Sequence, residues 1–180
     1  MNVVKVMSFT VAMMVAGSAS ALTLHGEAGS NWTDMGVSFG EDSPGLTFSG
    51  DWAHSEDDGD VGGLGLGLNL PLGNVLFTVG GKALYLSPED GDDGYAVALG
   101  GGAQIPIGDH FTLFGDAYYS PDSLSSGVKE YVEANAGLRW KIIPLLSLEA
   151  GYRYIDMAGK HGRRDNTVAD GAYAGVNFNF

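Results

Sequence analysis

Cysteine is absent from all 180 residues. An exported domain without it has no disulfide to hold it together and no thiolate for metal binding or nucleophilic chemistry. Basic residues are scarce, 9 Lys and Arg against 22 Asp and Glu, which gives a formal charge of −13. Nucleic acid is thereby excluded as a partner, since its affinity rests on neutralising phosphates with cations. Beyond residue 21 no run approaches the roughly 20 apolar residues of a spanning helix. No later segment keeps a helical period either.

The N-terminus has a recognisable organisation. Lys5 supplies a short basic region, residues 6–17 an apolar stretch, and Ser18-Ala19-Ser20-Ala21 the small residues of a signal-peptidase site. The expectation is a cleaved secretory signal peptide over residues 1–21 and one domain over residues 22–180. No cysteine follows the expected cut, so no lipid anchor is expected there.

The remainder alternates with a period of two, the signature of strands exposed to different media on their two faces. It predicts ten strands, at 22–30, 34–41, 46–54, 61–70, 74–86, 95–105, 110–120, 129–141, 146–156 and 170–180. Eight is the alternative if 34–41 does not pair. Short turns (around Asp42-Ser43-Pro44-Gly45, Pro71-Leu72-Gly73, Pro106 to Asp109, and Ile143-Pro144-Leu145) alternate with mostly longer polar loops at 55–60, 87–94, 121–128 and 157–169. The connection around Asn31-Trp32-Thr33 is a short exception in the second set. Such alternation belongs to an all-β, antiparallel up-and-down transmembrane barrel with short periplasmic turns.

A soluble barrel alternates as well, with its apolar face inward. Two features favour the membrane. The non-apolar face is mostly Gly, Ala, Ser, Thr and Asn, where a water-facing exterior would carry many Lys and Glu. On the other face, aromatics collect near strand ends (Phe48, Phe77, Phe111 and Trp140 on one side; Trp52, Tyr95, Tyr119 and Tyr152 on the other). Aliphatics such as Leu64, Leu66, Leu68, Val97 and Leu99 run between them. Two girdles around an aliphatic band match the two membrane–water interfaces. The final run, Ala174, Val176, Phe178 and Phe180 on one face, matches the signal by which outer-membrane assembly machinery would engage the chain through Phe180.

Long stretches carry a family resemblance: GDWAHSEDDGDVGGLGLGLNLPLG (50–73), DGYAVALGGG (93–102), YYSPDSLSSGVKEYVEANAGLRW (118–140), EAGYRY (149–154) and DGAYAGV (170–176). By these the chain resembles the YfaZ family of proteobacterial outer-membrane proteins across nearly all of residues 22–180. The first strand matches least distinctively. The resemblance implies an outer-membrane location and a small barrel, and brings no catalytic residue with it.

Parity places His25, Glu27, Asp51, Lys82, Asp116, Glu133, Arg139, Glu149 and Arg153 on the lumen face. Charges there are tolerable only when paired and hydrogen-bonded. They form either a salt-bridge network that fills the barrel or the lining of a narrow, selective water path. In the loops, Asp57, Asp58, Asp60, Asp90, Asp92 and Asp93 offer the hard oxygens that Ca²⁺ or Mg²⁺ prefer, without an EF-hand spacing. Lys160, Arg163 and Arg164 suit the phosphates of lipopolysaccharide.

Nucleophilic chemistry has little support. No G-x-S-x-G elbow is present, and His54 and Ser55 would point to opposite faces of a strand. Gly63 to Gly67 alternates as a strand does, and Gly81-Lys82 lacks the rest of a phosphate loop. No cofactor is expected. The reading is a non-enzymatic outer-membrane barrel with a structural or narrow-passage, porin-like role. The alternatives are a lipid A- or phospholipid-modifying enzyme and a surface protein acting through its loops.

Overall fold

The computed structural model describes residues 22–180, so the expected signal peptide over residues 1–21 lies outside the described residues. Ten strands run in chain order: β1 (Leu22–Ala28), β2 (Trp32–Phe39), β3 (Gly45–Ser55), β4 (Gly59–Leu72), β5 (Val75–Pro88), β6 (Gly94–Ile107), β7 (Phe111–Ser120), β8 (Glu130–Ile143), β9 (Leu146–Ala158) and β10 (Asn166–Asn179). Each pairs antiparallel with its sequence neighbours, and β1 pairs with β10 to close the barrel. The strand at 34–41 does pair, as β2, so the count is ten rather than eight.

Closure leaves no unpaired edge, as a hydrocarbon surround requires. The period-two pattern sets the two faces. On β4, Leu64, Leu66 and Leu68 are exposed outward, while Gly63, Gly65 and Gly67 turn their missing side chains inward and make room in the lumen. The outward aromatics are exposed in two bands: Phe48, Phe77, Phe111, Trp140 and Phe178 toward the short turns, and Trp52, Tyr95, Tyr119 and Tyr152 toward the loops. At the loop end the girdle is hydrogen-bonded hairpin by hairpin. Trp52 donates to Asp60 (3.1 Å), Tyr85 to Asp93 (2.9 Å), Tyr119 to Glu130 (3.0 Å), and Tyr152 to Asp170. These four polar tips thus have partners at the membrane–water boundary, where an amphipathic ring is stable.

The lumen is stratified. Its loop-side half is an apolar core in which Val61, Leu84, Leu86, Tyr131, Ile155, Met157 and Val168 are all but inaccessible. Trp32 and Tyr173 meet edge to face there, with ring centres 5.7 Å apart. Full burial of each large aliphatic contributes about 1.5–3 kcal/mol, which makes this half an ordinary protein core inside a membrane barrel. The β7–β8 connection, with a single 3-10 turn at Asp122–Leu124, folds over it. Ser126 N–H donates to the Tyr95 carbonyl at 2.7 Å, and Val128 is buried. Below the apolar core lies a layer of ion pairs, and below that a cavity.

The short-turn end holds the main departure from the sequence reading. The β2–β3 turn, expected as an ordinary tight turn, folds into the barrel. Gly40 (φ 73°) and Gly45 (φ 117°) bracket it in the left-handed region that glycine tolerates best. The strand therefore ends at Phe39, and residues 40–44 pass under the lumen.

Candidate functional site

The candidate site is the lumen from its ion-pair layer to the β2–β3 turn. Besides His25 (β1), the eight residues predicted for the lumen network lie on strands with side chains directed inward: Glu27 (β1), Asp51 (β3), Lys82 (β5), Asp116 (β7), Glu133 and Arg139 (β8), and Glu149 and Arg153 (β9). Seven of the eight join in direct ion pairs. Lys82 Nζ lies 2.9 Å from Glu133 and 3.6 Å from Asp51. Arg153 reaches Glu27 at 2.9 Å and Glu133 at 3.7 Å. Arg139 meets Glu149 at 3.1 Å. Asp116 makes no direct ion pair among the described residues, although it lines the same cavity.

Hydrogen bonds satisfy further oxygens of the network, while Arg153 Nε has no partner among the described residues. Tyr131 donates to Glu133 (3.0 Å), Asn177 to Glu149 (2.8 Å), and Tyr173 to Asn135 (3.0 Å). Lys82 also sits over the Tyr118 ring, 4.7 Å from its centre. A buried charge with such partners recovers much of its desolvation cost.

Three participants escape the period-two reading of the sequence. Asp34 on β2 faces the lumen, 3.1 Å from both Arg153 and His25 Nε2. Its parity relative to Glu27 is set only by the β1–β2 register, which pairs the two residues. Glu41 and Asp42 arrive from the inward turn and reach across the barrel to Arg139, at 3.0 and 3.4 Å. Asn69 holds the same turn by donating to the carbonyls of Gly40 (2.8 Å), Glu41 (3.0 Å) and Ser43 (3.0 Å), and Gln104 donates to the Glu41 carbonyl at 3.3 Å. Burial alone would push the Glu41 carboxyl up. The Arg139 guanidinium and the Ser38 hydroxyl outweigh it and hold the group below the usual carboxylate range.

Between the ion-pair layer and the turn is a cavity of about 170 Å³, bordered by Thr47, Ser49, Thr78, Asp116 and Asn135 among others. A second space of about 450 Å³ opens at the short-turn mouth; Gln104 and Arg139 border both spaces, while of the turn residues Glu41 faces the first and Asp42 the second. The cavity has room for a few waters or a small solute. Above it, buried apolar side chains fill the loop-side half among the described residues.

His25, Glu27 and Asp34 are close enough together to suit a metal ion, their ligand atoms all within 4.8 Å of one another. The Arg153 guanidinium already fills that corner, contacting both carboxylates, and would repel a second cation. The acidic loop residues behave differently. Asp58 pairs with Arg164 (3.0 Å), Asp90 with Arg164 (3.9 Å) and Asp92 with Arg163 (3.1 Å). Asp57 offers its carbonyl to Arg164 (2.9 Å), Asp60 receives Trp52 and His54, and Asp93 receives Tyr85 and Ser87. Among the described residues no three of these acids converge at ligating distance. Lys160 pairs with Asp122 at 2.7 Å, and the hydrogen bond from its ammonium holds the Asp122 carboxyl below its ordinary range. The β9–β10 loop is thus strapped to three neighbouring loops.

Comparison with known proteins places the chain among outer-membrane barrels. The family described as YfaZ precursor matches residues 1–180. Outer membrane protein YfaZ of Escherichia coli (strain K12) is 56% identical over 168 residues, covering 93% of each chain. Among solved structures, the NanC porin is 14% identical with a TM-score of 0.48, covering 89% of this chain and 99% of its own. Neisserial surface protein A is 14% identical with a TM-score of 0.40, covering 91% and 98%.

Proposed function

We propose a function for a chain that belongs to the YfaZ family and forms an integral β-barrel of the outer membrane: it is a closed barrel that holds a strapped set of acidic loops at the cell surface. The observation that carries this reading is the apolar core in the loop-side half of the lumen. A water path through the barrel would need polar groups or open space at that level, and Leu84, Leu86, Ile155 and Met157 offer neither. The ion pairs below serve to satisfy buried charge, which is the network rather than the channel reading of those residues.

A narrow passage is the second reading. The cavity and the space at the short-turn mouth favour it, since half of a path is already present. We read the protein as non-enzymatic: among the described residues His25 and His54 each hydrogen-bond an aspartate, Asp34 and Asp60, and no histidine side chain hydrogen-bonds a hydroxyl nucleophile. Lys160, Arg163 and Arg164 would meet lipopolysaccharide phosphates only by leaving the carboxylates that hold them. Divalent cations would have to displace Arg163 or Arg164 at Asp58, Asp90 and Asp92, and side-chain hydrogen-bond donors at Asp60 and Asp93. Engagement of assembly machinery through Phe180 belongs to this reading as well.

Liposome swelling tests the closed barrel. Vesicles carrying the protein should swell in small sugars no faster than protein-free vesicles, and rapid swelling would establish a passage instead. The mass spectrum of lipid A from overexpressing cells should match that of cells without the protein. A new acyl or phosphate difference would make it an enzyme.

A further inference from the structure

Three features set the β2–β3 turn apart from the other short connections. It crosses the lumen, from β2 and β3 to Arg139 on β8. It is held there by side chains, Asn69, Gln104 and Arg139, rather than by a strand ladder. Positive-φ glycines at both ends provide points about which it can swing. The other short turns make no side-chain hydrogen bond across the lumen among the described residues.

We propose that this turn is a hinged plug, latched through Arg139, whose release opens the lumen cavity to small cations from the short-turn side. The latch is built to come undone without stranding a charge. Arg139 keeps Glu149 at 3.1 Å when the turn leaves, and its guanidinium stays over the Phe114 ring, 5.3 Å from its centre. Glu41 and Asp42 sit at the water edge, with side chains 28% and 51% exposed, and exchange Arg139 for water on leaving. Lys82 and Glu133 have no such exit, so the ion-pair layer stays in place and closes the inner end of the cavity.

The preference for cations follows from charge balance. With Glu41 swung out, four carboxylates (Glu27, Asp51, Asp116 and Glu149) line the cavity, and Asp34 and Glu133 stand directly behind them, against three permanent cations, Lys82, Arg139 and Arg153. A recess with an acidic excess in low-dielectric walls concentrates cations and repels anions. Asp116, with no direct ionic partner, is the carboxylate best placed to receive one.

The absence of cysteine makes the test clean, because Ser49→Cys on the cavity wall becomes the sole thiol of the chain. Its rate of modification by small cationic and anionic methanethiosulfonates is measured on the protein extracted from membranes. The measurement is repeated with Glu41→Ala and Asp42→Ala together, and separately with Asn69→Ala. Retained heat-modifiable electrophoretic mobility shows that each barrel is folded. The expected result is slow labelling with the turn intact, about tenfold faster labelling in either released background, and the cationic reagent ahead of the anionic one by a similar factor. Equal rates with the turn latched and released would overturn the plug. An anionic reagent that keeps pace in the released barrels would overturn the cation preference. If the Glu41/Asp42 variant fails to fold, Asn69→Ala decides alone, since it loosens the turn without touching a charge.

Discussion

Two sets of ion pairs, each a basic side chain against a carboxylate and of nearly the same lengths, stand at different heights in this barrel. In the lumen, Lys82–Glu133 and Arg153–Glu27 each span 2.9 Å; among the loops, Arg164–Asp58 spans 3.0 Å and Arg163–Asp92 spans 3.1 Å. Geometry does not separate them, but solvent does. The Glu133 side chain is 3% exposed, whereas Arg163 and Asp92 are 41% and 80% exposed. A loop pair that breaks leaves two charges in water. A lumen pair that breaks leaves one charge with nowhere to go. The lumen pairs therefore fix the barrel interior, and the loop pairs only bias where the loops rest.

Removing a lumen cation should produce the largest effect. Arg153→Met leaves Glu27, Asp34 and Glu133 facing one another, and should lower unfolding stability by about 3–5 kcal/mol, read from the denaturant midpoint of reversible unfolding. A loss below about 1 kcal/mol would place the lumen pairs with the loop pairs and end the contrast. Next in size is Leu86→Ala in the apolar core, expected to cost about 2–4 kcal/mol by the same assay. A neutral result there would mean that this half of the lumen is loosely packed or wet.

Glu41 tests the boundary between the two regimes. Its carboxyl is held below the ordinary range, so it contributes stability above the unfolded value of about 4.3, and loses that contribution as pH falls through its own lower value. Glu41→Gln should thus be about 1–2 kcal/mol less stable than the parent at neutral pH, with a gap that holds to about pH 5 and closes only in stronger acid. A gap that widens toward low pH would contradict the latch geometry. Smallest of all, Arg163→Ala with Arg164→Ala should shift stability by less than about 1 kcal/mol, and that shift should vanish in high salt. Lipopolysaccharide co-purifying with this variant reads out any phosphate contact at the same residues.

Most of the scaffold was legible because period two in a barrel is enforced at nearly every residue. The strand expected at 61–70 is observed at Gly59–Leu72, and that expected at 129–141 at Glu130–Ile143. The largest miss is β10, expected from 170 and found from Asn166. A register shift between Thr167 and Ala169 puts Val168 and Ala169 both inside, so alternation fails where the strand begins. β2 begins earlier than expected because Trp32 turns inward onto Tyr173 rather than standing in a loop.

The lumen was legible by face but not by height. Lys82, Leu84 and Leu86 share one parity, so the apolar core was written in the same alternation that located the charges. Attention to polar residues alone hides it. The inward turn had only the Gly40 and Gly45 bracket as a local sign, and its partner Arg139 lies 98 residues from Glu41. No short-range pattern encodes a contact at that separation.

The central claim is that the loop-side half of the lumen is sealed, and single-channel recording in a planar bilayer tests it most directly. With the protein purified from outer membranes, the account predicts a folded barrel that passes no discrete current in molar salt. Reproducible unitary steps from that folded barrel would contradict it, since ions would then be crossing the level of Leu86, Ile155 and Met157.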